Sequence, residues 1–191
     1  IIIILIITIY LLFQVYNKGI YGTINKKEYI YITYILILVI GFRGEGVDND
    51  YSTYVASINN FLAISEPTFL LIASFIKITG IPIVFLFVIY SFIGIYYKMK
   101  AIYLLSPLPL VSIIIYLSNI ILLQDINQIR AGAATAIFLI AIPYLIQGNR
   151  KKFILLISVA SLFHFSALLY FIILFINNNE FSYRKYIFWT I

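Results

Sequence analysis

The sequence predicts an all-α fold, a polytopic transmembrane helix bundle with about six spans, the start of a seventh and one amphipathic or re-entrant outer helix. Of the 191 residues, 63% are hydrophobic and 10% are charged, whereas a soluble domain carries roughly 25% charged residues. The apolar residues form continuous runs, which favours membrane-spanning helices over the alternating pattern of β-barrel strands. With no cysteine and one histidine, the chain cannot form disulfides or a multi-histidine metal site.

Seven apolar runs define the predicted spans, since a helix needs about 20 mostly apolar residues to cross a bilayer. The runs cover residues 1–16, 29–42, 81–97, 101–123, 131–147, 153–176 and 186–191. The first run starts without a methionine and the last stops after six residues, so we expect one transmembrane domain that is truncated at both ends. The second run is short, but Lys26 and Lys27 can extend to the headgroups. Ser106-Pro-Leu-Pro is expected to kink the start of the fourth run.

The distribution of charge indicates the orientation of the spans. The net charge of +6 comes from basic residues between apolar runs, which membrane topology explains better than nucleic-acid binding. If residues 18–27 are cytoplasmic, residues 98–100 and 148–152 are cytoplasmic too. Eight of the 13 basic residues then lie inside, in agreement with the positive-inside rule. The unusual polar residues collect on the outer side.

Residues 68–80 form an apolar segment that is too short to cross the bilayer. The segment has 13 residues and includes Lys77, and counting it as a span would place the basic loops after it outside. We therefore expect an amphipathic or re-entrant helix on the outer face, with Pro67 in its first turn and Gly80 at its end.

Ionisable residues at a membrane edge are functional candidates because burying them is costly. In the segment 43–54, Asp48 and Asp50 form a D-x-D pattern that could hold a divalent cation or serve as a general base. The pattern could equally be a solvated loop in which an aspartate caps the next helix, and we expect no cofactor. Tyr54 follows and can stack on a sugar ring. Glu66 is either a functional acid or a first-turn acid favoured by the helix dipole.

A second polar cluster covers residues 124–130, at the predicted outer end of a span. Gln124 and Gln128 are four residues apart and are expected to share one helical face. The planar guanidinium of Arg130 suits a phosphate or pyrophosphate, although it could instead anchor the helix at the interface. The small residues that follow allow another helix to approach closely.

The single histidine, His164, lies near the middle of the predicted span 153–176. A buried neutral imidazole needs hydrogen-bond partners. His164 is therefore expected either to act as an acid or base or to link helices by hydrogen bonding.

The order of these residues resembles the EpsG family, which is related to the Wzy-type O-antigen and exopolysaccharide polymerases. The matching residues are Arg43, Asp50, Tyr54, Glu66-Pro-x-Phe69, Gln128-x-Arg130 and Phe163-His164-x-Ser166. The resemblance covers roughly residues 29–176. Where the family has glycine before its loop aspartate and after its Glu-Pro, this chain has Val47 and Thr68, so both Asp48 and Asp50 remain candidates for the family acid.

The resemblance implies a multi-pass glycosyltransferase of the bacterial cytoplasmic (inner) membrane. Such a protein transfers a glycan from undecaprenyl pyrophosphate to a second lipid-linked repeat unit at the outer face, in the lipid bilayer and beside other polysaccharide assembly proteins. We expect catalytic roles for Asp48, Asp50, Glu66 and His164. We expect substrate contacts from Arg43, Tyr54, Gln124, Gln128 and Arg130, with a polyprenyl groove along residues 131–136.

Two other classes of protein fit the same residues. An ion- or proton-coupled transporter would use His164 and the acids as relays. A non-catalytic scaffold for polysaccharide export would use the polar residues only to hold helices together.

Overall fold

A computed structural model of the protein describes residues 2–60 and 65–175, and this part of the chain is helical with short connections. The helices are α1 (Ile2–Lys18), α2 (Lys26–Gly41), α3 (Tyr51–Asn60), α4 (Pro67–Thr79), α5 (Val84–Leu105), α6 (Pro109–Ile115, continued as a π-helix over Tyr116–Asn127), α7 (Ile129–Ile146), α8 (Arg150–Phe163) and α9, a 3-10 helix over Phe165–Phe175. The all-α class is confirmed for these residues. The partial span predicted at 186–191 lies outside them.

Three helices in the described residues are long and apolar enough to cross a membrane, which identifies a membrane protein. They are Val84–Leu105, Pro109–Asn127 and Ile129–Ile146. Helix α1 is also apolar but has 17 residues, and it exposes large side chains such as Ile2 and Tyr16. The total of about six spans stays a prediction.

Helix α5 lies at the centre of the bundle, between α2 and α7, and α7 in turn packs against α8. Small residues permit these close approaches. A Cβ at Gly41 of α2 would lie 2.9 Å from the Cα of Val88 in α5. Helices α2 and α5 are antiparallel, because Tyr29 near the start of α2 donates a hydrogen bond to the carbonyl of Met99 late in α5.

The predicted break between the third and fourth spans is wrong. Residues 98–100 lie inside α5, which continues to Leu105, and the chain reverses at residues 106–108. There the hydroxyl of Ser106 accepts a bond from the Leu108 N–H at 3.0 Å. Lys98 is therefore not in a loop but buried, with its ammonium 2.8 and 2.9 Å from the carboxylate oxygens of Asp125. This carboxylate neutralises the lysine and allows the helix to continue.

The predicted uninterrupted span 153–176 is also wrong within the residues that the structure describes. Helix α8 ends at Phe163, and His164 has an extended backbone with φ −156° and ψ 123°. Helix α9 then folds back along α8, because Ala167 packs with Ala160 while Leu174 packs near Phe153. His164 thus lies at the apex of a helical hairpin rather than at mid-span.

Helix α4 has the limits that the sequence predicts. Pro67 occupies its first turn, and Gly80 ends it with a left-handed φ of 68°. At 13 residues the helix is shorter than the spanning helices. Thr68 hydrogen bonds through its hydroxyl to the carbonyl of Leu162 at 2.8 Å, which attaches the start of α4 to the end of α8. Its position along the outer membrane surface stays a prediction.

Candidate active site

A cavity of about 240 Å³ lies where α3, α7 and the apex after α8 meet. It is lined by Asp50, Tyr54, Gln128, Arg130, Ala131 and His164. Five of the nine residues expected to be functional are therefore brought to one cavity. They come from three segments that are far apart in the chain.

Glu66 contacts both Arg130 and His164, which line the cavity. Arg130 Nη1 lies 2.5 Å from Glu66 Oε2, and His164 Nδ1 lies 2.9 Å from Glu66 Oε1. Burial raises the pKa of Glu66, but the hydrogen bond from His164 and the positive charge of Arg130 outweigh burial, so the pKa of Glu66 is lowered overall. Glu66 precedes α4, but its side chain makes no capping hydrogen bond. Its interactions are with the other two residues rather than with the helix end.

Arg130 keeps hydrogen-bonding capacity that the protein does not use. Its Nε is buried and has no hydrogen-bond partner among the described residues. Its guanidinium carbon lies 5.8 Å from the centre of the Tyr54 ring. The side chain is 23% exposed, and Glu66 is the partner of its ion pair. The partly exposed guanidinium at the cavity can bind the oxygens of an anion.

Arg43 is bound on all sides and does not line the cavity. Its Nε lies 2.6 Å from Asp48 Oδ2, Nη1 donates to the carbonyl of Ile40 at 3.1 Å, and Nη2 donates to the carbonyl of Ile126 at 2.8 Å. The guanidinium also lies 4.3 Å above the Phe87 ring. Arg43 therefore connects the end of α2 to the turn before α7, and it holds Asp48 away from the cavity.

The turn before α7 is held by α3 and by the loop that precedes α3. The hydroxyl of Tyr54 donates to the carbonyl of Asn127 at 3.2 Å, and the N–H of Asn49 donates to the side chain of Asn127 at 3.3 Å. Burial raises the pKa of the Tyr54 phenol, although Arg130 lowers it in part, so the hydroxyl stays protonated and available as a donor. These contacts place Gln128 at the cavity.

The shared helical face expected for Gln124 and Gln128 is not formed. The π-helix ends at Asn127 and Gln128 interrupts the helix, with its N–H bonded to the carbonyl of Leu123 at 3.1 Å. Gln128 lines the cavity and Gln124 does not. The side-chain oxygen of Gln124 is buried without a hydrogen bond to the described residues.

The small residues at the start of α7 form a packing surface. Ala131 reaches the cavity, but the next three residues and Ala136 are buried. A Cβ at Gly132 would lie 2.7 Å from the carbonyl oxygen of Gln124, so the π-helix and α7 are in direct backbone contact. The predicted close approach of helices is confirmed. The polyprenyl groove expected along residues 131–136 is wrong, because helix packing already fills that surface.

The two aspartates of the D-x-D pattern have different surroundings. Asp48 is engaged by Arg43, whereas Asp50 faces the cavity. Among the residues that the structure describes, no group of three or more His, Asp or Glu side chains could hold a metal ion. The expectation that the protein needs no cofactor stays a prediction.

One buried ion pair was not predicted from the sequence. The buried pair of Lys98 and Asp125 lies directly before the turn that carries Gln128, and the hydroxyl of Tyr116 donates to Asp125 Oδ2 at 2.8 Å. The charge and hydropathy pattern predicts Lys98 in a loop on the inner face of the membrane and Asp125 in a loop on the outer face. The available signal for a buried Lys98 was that apolar residues flank it in a run that reaches Leu105.

The match to a family model covers residues 26–191 and so includes every candidate site residue. Neither a curated protein nor a solved structure matches the chain. This match covers most of the chain, including the residues of the polar cavity. The chain belongs to the EpsG family, which is related to the Wzy-type polysaccharide polymerases.

Proposed function

We propose that the protein is a polysaccharide polymerase, a membrane glycosyltransferase whose donor is an undecaprenyl-pyrophosphate-linked oligosaccharide. The acceptor is a second lipid-linked repeat unit, and the reaction takes place at the outer face of the bacterial cytoplasmic membrane. Membership of the EpsG family supports the reaction class. The observation that carries the proposal is that Arg130 lines a polar cavity with a side chain that is 23% exposed and is held by Glu66.

The reaction needs three events at the cavity. The oxygen of an acceptor hydroxyl forms a bond to the anomeric carbon of the donor sugar. The bond between that carbon and the pyrophosphate oxygen breaks, and the pyrophosphate leaves with the electron pair. The hydroxyl proton passes to a base. The protein must therefore stabilise negative charge on the leaving group and accept one proton.

Arg130 stabilises the leaving pyrophosphate in this proposal. Its planar fork can donate two parallel hydrogen bonds to phosphate oxygens, and Glu66 fixes the guanidinium before the substrate arrives. Arg43 has the same chemistry, but its nitrogens are already bonded to Asp48, Ile40 and Ile126. We therefore assign Arg43 the role of positioning the turn before α7.

Asp50 is the base in this proposal. Its side chain lines the cavity and makes no hydrogen bond or ion pair within the described part of the chain, whereas Asp48 and Glu66 are both engaged. His164 bonds Glu66 through Nδ1, which leaves Nε2 for a substrate hydroxyl. Gln128 is exposed at the rim and can bind sugar hydroxyls through its amide.

Substituting Arg130 with lysine tests the proposal, because lysine keeps the charge but loses the fork. With purified protein in proteoliposomes and a lipid-linked oligosaccharide as donor and acceptor, we expect chain elongation to slow about a hundredfold, or about 3 kcal/mol at the transition state. The matched control is Arg150→Lys, at the start of α8 and away from the cavity, which should elongate at the native rate.

Two results would contradict this assignment. Elongation at the native rate by both Arg130→Lys and Arg130→Ala would show that the residue is only an interfacial anchor. A loss of folded protein from the membrane in step with the loss of product would support a scaffold.

A further inference from the structure

A second cavity, of about 410 Å³, lies between α2 and α5 at the end of the bundle opposite the candidate active site. The antiparallel packing of the two helices defines this position. The candidate active site lies beyond the end of α2, whereas the second cavity is lined by Lys26 at the start of α2 and by Lys100 and Tyr103 near the end of α5. Nothing in the proposed polymerase reaction uses this cavity.

The charge at this cavity is positive and unpaired. Lys26 and Lys100 both line it, and neither makes an ion pair or a hydrogen bond through its side chain within the residues that the structure describes. Glu28 follows Lys26 by two positions but does not line the cavity. Two ammonium groups without a carboxylate partner at a concave surface favour an anionic ligand.

The rest of the lining is aromatic and apolar. Tyr34 is 50% exposed and Tyr103 is 48% exposed, and Tyr96 also contributes to the wall. Their rings offer an apolar face and their hydroxyls offer donors, as tyrosines do at membrane interfaces. Ile30 is 42% exposed beside them, and on a membrane protein such a surface faces acyl chains. The matching ligand therefore carries a negative headgroup and an apolar tail.

We propose that this cavity is a binding site for an anionic phospholipid, with the lipid phosphate between Lys26 and Lys100 and an acyl chain along the tyrosine-lined wall. Basic pockets between transmembrane helices recognise anionic headgroups in this way. The site is distinct from the polymerase cavity, and its occupancy does not depend on the reaction assigned there.

Lipid binding to the purified protein in detergent micelles tests the site. The probes are phosphatidylglycerol, phosphatidylcholine and glycerol 3-phosphate, which is a headgroup phosphate without acyl chains. We expect phosphatidylglycerol to bind at least tenfold more tightly than the other two. The double variant Lys26→Gln/Lys100→Gln should lose that preference, since each lysine near the headgroup contributes a severalfold gain in affinity. Thermal melting of both forms shows whether the variant is folded.

The matched control is Lys27→Gln/Lys151→Gln, which removes the same charge from two lysines that do not line the cavity. It should keep the native preference to within about twofold. Equal binding of phosphatidylglycerol and phosphatidylcholine to the native protein would overturn the proposal. An equal loss in both double variants would also overturn it, because the effect would then come from overall surface charge. Tight binding of glycerol 3-phosphate would identify a soluble phosphate as the ligand and exclude the lipid.

Discussion

Asp125 and Arg130 are five residues apart, yet their ion pairs have opposite surroundings. Asp125 belongs to what we term the buried cluster, Lys98, Asp125 and Tyr116, in which the lysine and aspartate side chains are 2% and 1% exposed. Arg130 belongs to the cavity cluster, Glu66, Arg130 and His164, in which the arginine and histidine side chains are 23% and 32% exposed. The two clusters contain the same kinds of charge, but Arg130 and His164 line a cavity, whereas the Lys98 and Asp125 side chains are almost fully buried.

The packing of small residues explains the difference. Gly94 and Gly132 lie against Asp125, and a Cβ at either glycine would collide with its carboxylate. The carboxylate also accepts hydrogen bonds from Lys98 and Tyr116. The buried cluster is therefore closed by backbone on two sides and its carboxylate is satisfied within the protein.

The cavity cluster lies where helices are interrupted. Gln128 breaks the helical path before Arg130, and His164 breaks it after α8. Each interruption places a polar side chain, that of Gln128 or of His164, at the same cavity. The exposure of an ion pair at a cavity distinguishes a candidate site from a closed structural ion pair more clearly than charge does.

The largest effect is expected from breaking the buried cluster on one side. Lys98→Met leaves the Asp125 carboxylate without its cation inside the bundle, which costs about 3–5 kcal/mol of folding free energy. The midpoint of unfolding in a detergent titration measures this loss. The double variant Lys98→Met/Asp125→Asn removes both charges, keeps the shape of the Asp125 side chain and an acceptor for Tyr116, and should recover most of it. If the double variant is as unstable as the single one, the ion pair with Asp125 is not what stabilises the buried Lys98.

A smaller loss is expected from adding one methyl group between the clusters. Gly132→Ala places a Cβ against the backbone of Gln124 and the carboxylate of Asp125, and such overpacking costs about 1–3 kcal/mol. Gly44→Ala is the matched control, because a Cβ there meets nothing within 4 Å. Unfolding midpoints of the two variants should differ clearly. Equal midpoints would mean that α7 and the π-helix separate without cost.

A substitution in the cavity cluster is expected to have the smallest effect on stability of the three, but to slow turnover clearly. Glu66→Gln keeps the shape of the side chain but removes the charge that holds Arg130 and His164. We expect polymer elongation to slow about tenfold, or about 1.4 kcal/mol in activation free energy, with an unfolding midpoint near the native value. Glu45→Gln, at an exposed loop acid, serves as the control. A Glu66 variant that unfolds as easily as Lys98→Met would remove the distinction between the two clusters.

The residues of the candidate site could be chosen from the sequence more reliably than their partners. Asp50, Tyr54, Gln128, Arg130 and His164 stood out because polar residues are rare in a chain with 10% charged residues. The partners of Arg43, Glu66 and Lys98 did not follow from the pattern. Glu66 is 64 residues from Arg130 and 98 from His164, and no periodicity relates positions so far apart.

By itself, the sequence determined that this is a helical membrane protein and where its costly polar residues lie, because hydropathy depends on composition along short windows. Only the tertiary structure decided which charges meet. The pairing of Lys98 with Asp125 depends on the register between α5 and the π-helix. The pairing of His164 with Glu66 depends on the reversal of the chain at His164, inside an apolar run. Both pairings are set by side-chain packing between segments that are distant in the sequence. A count of apolar residues carries no information about such packing.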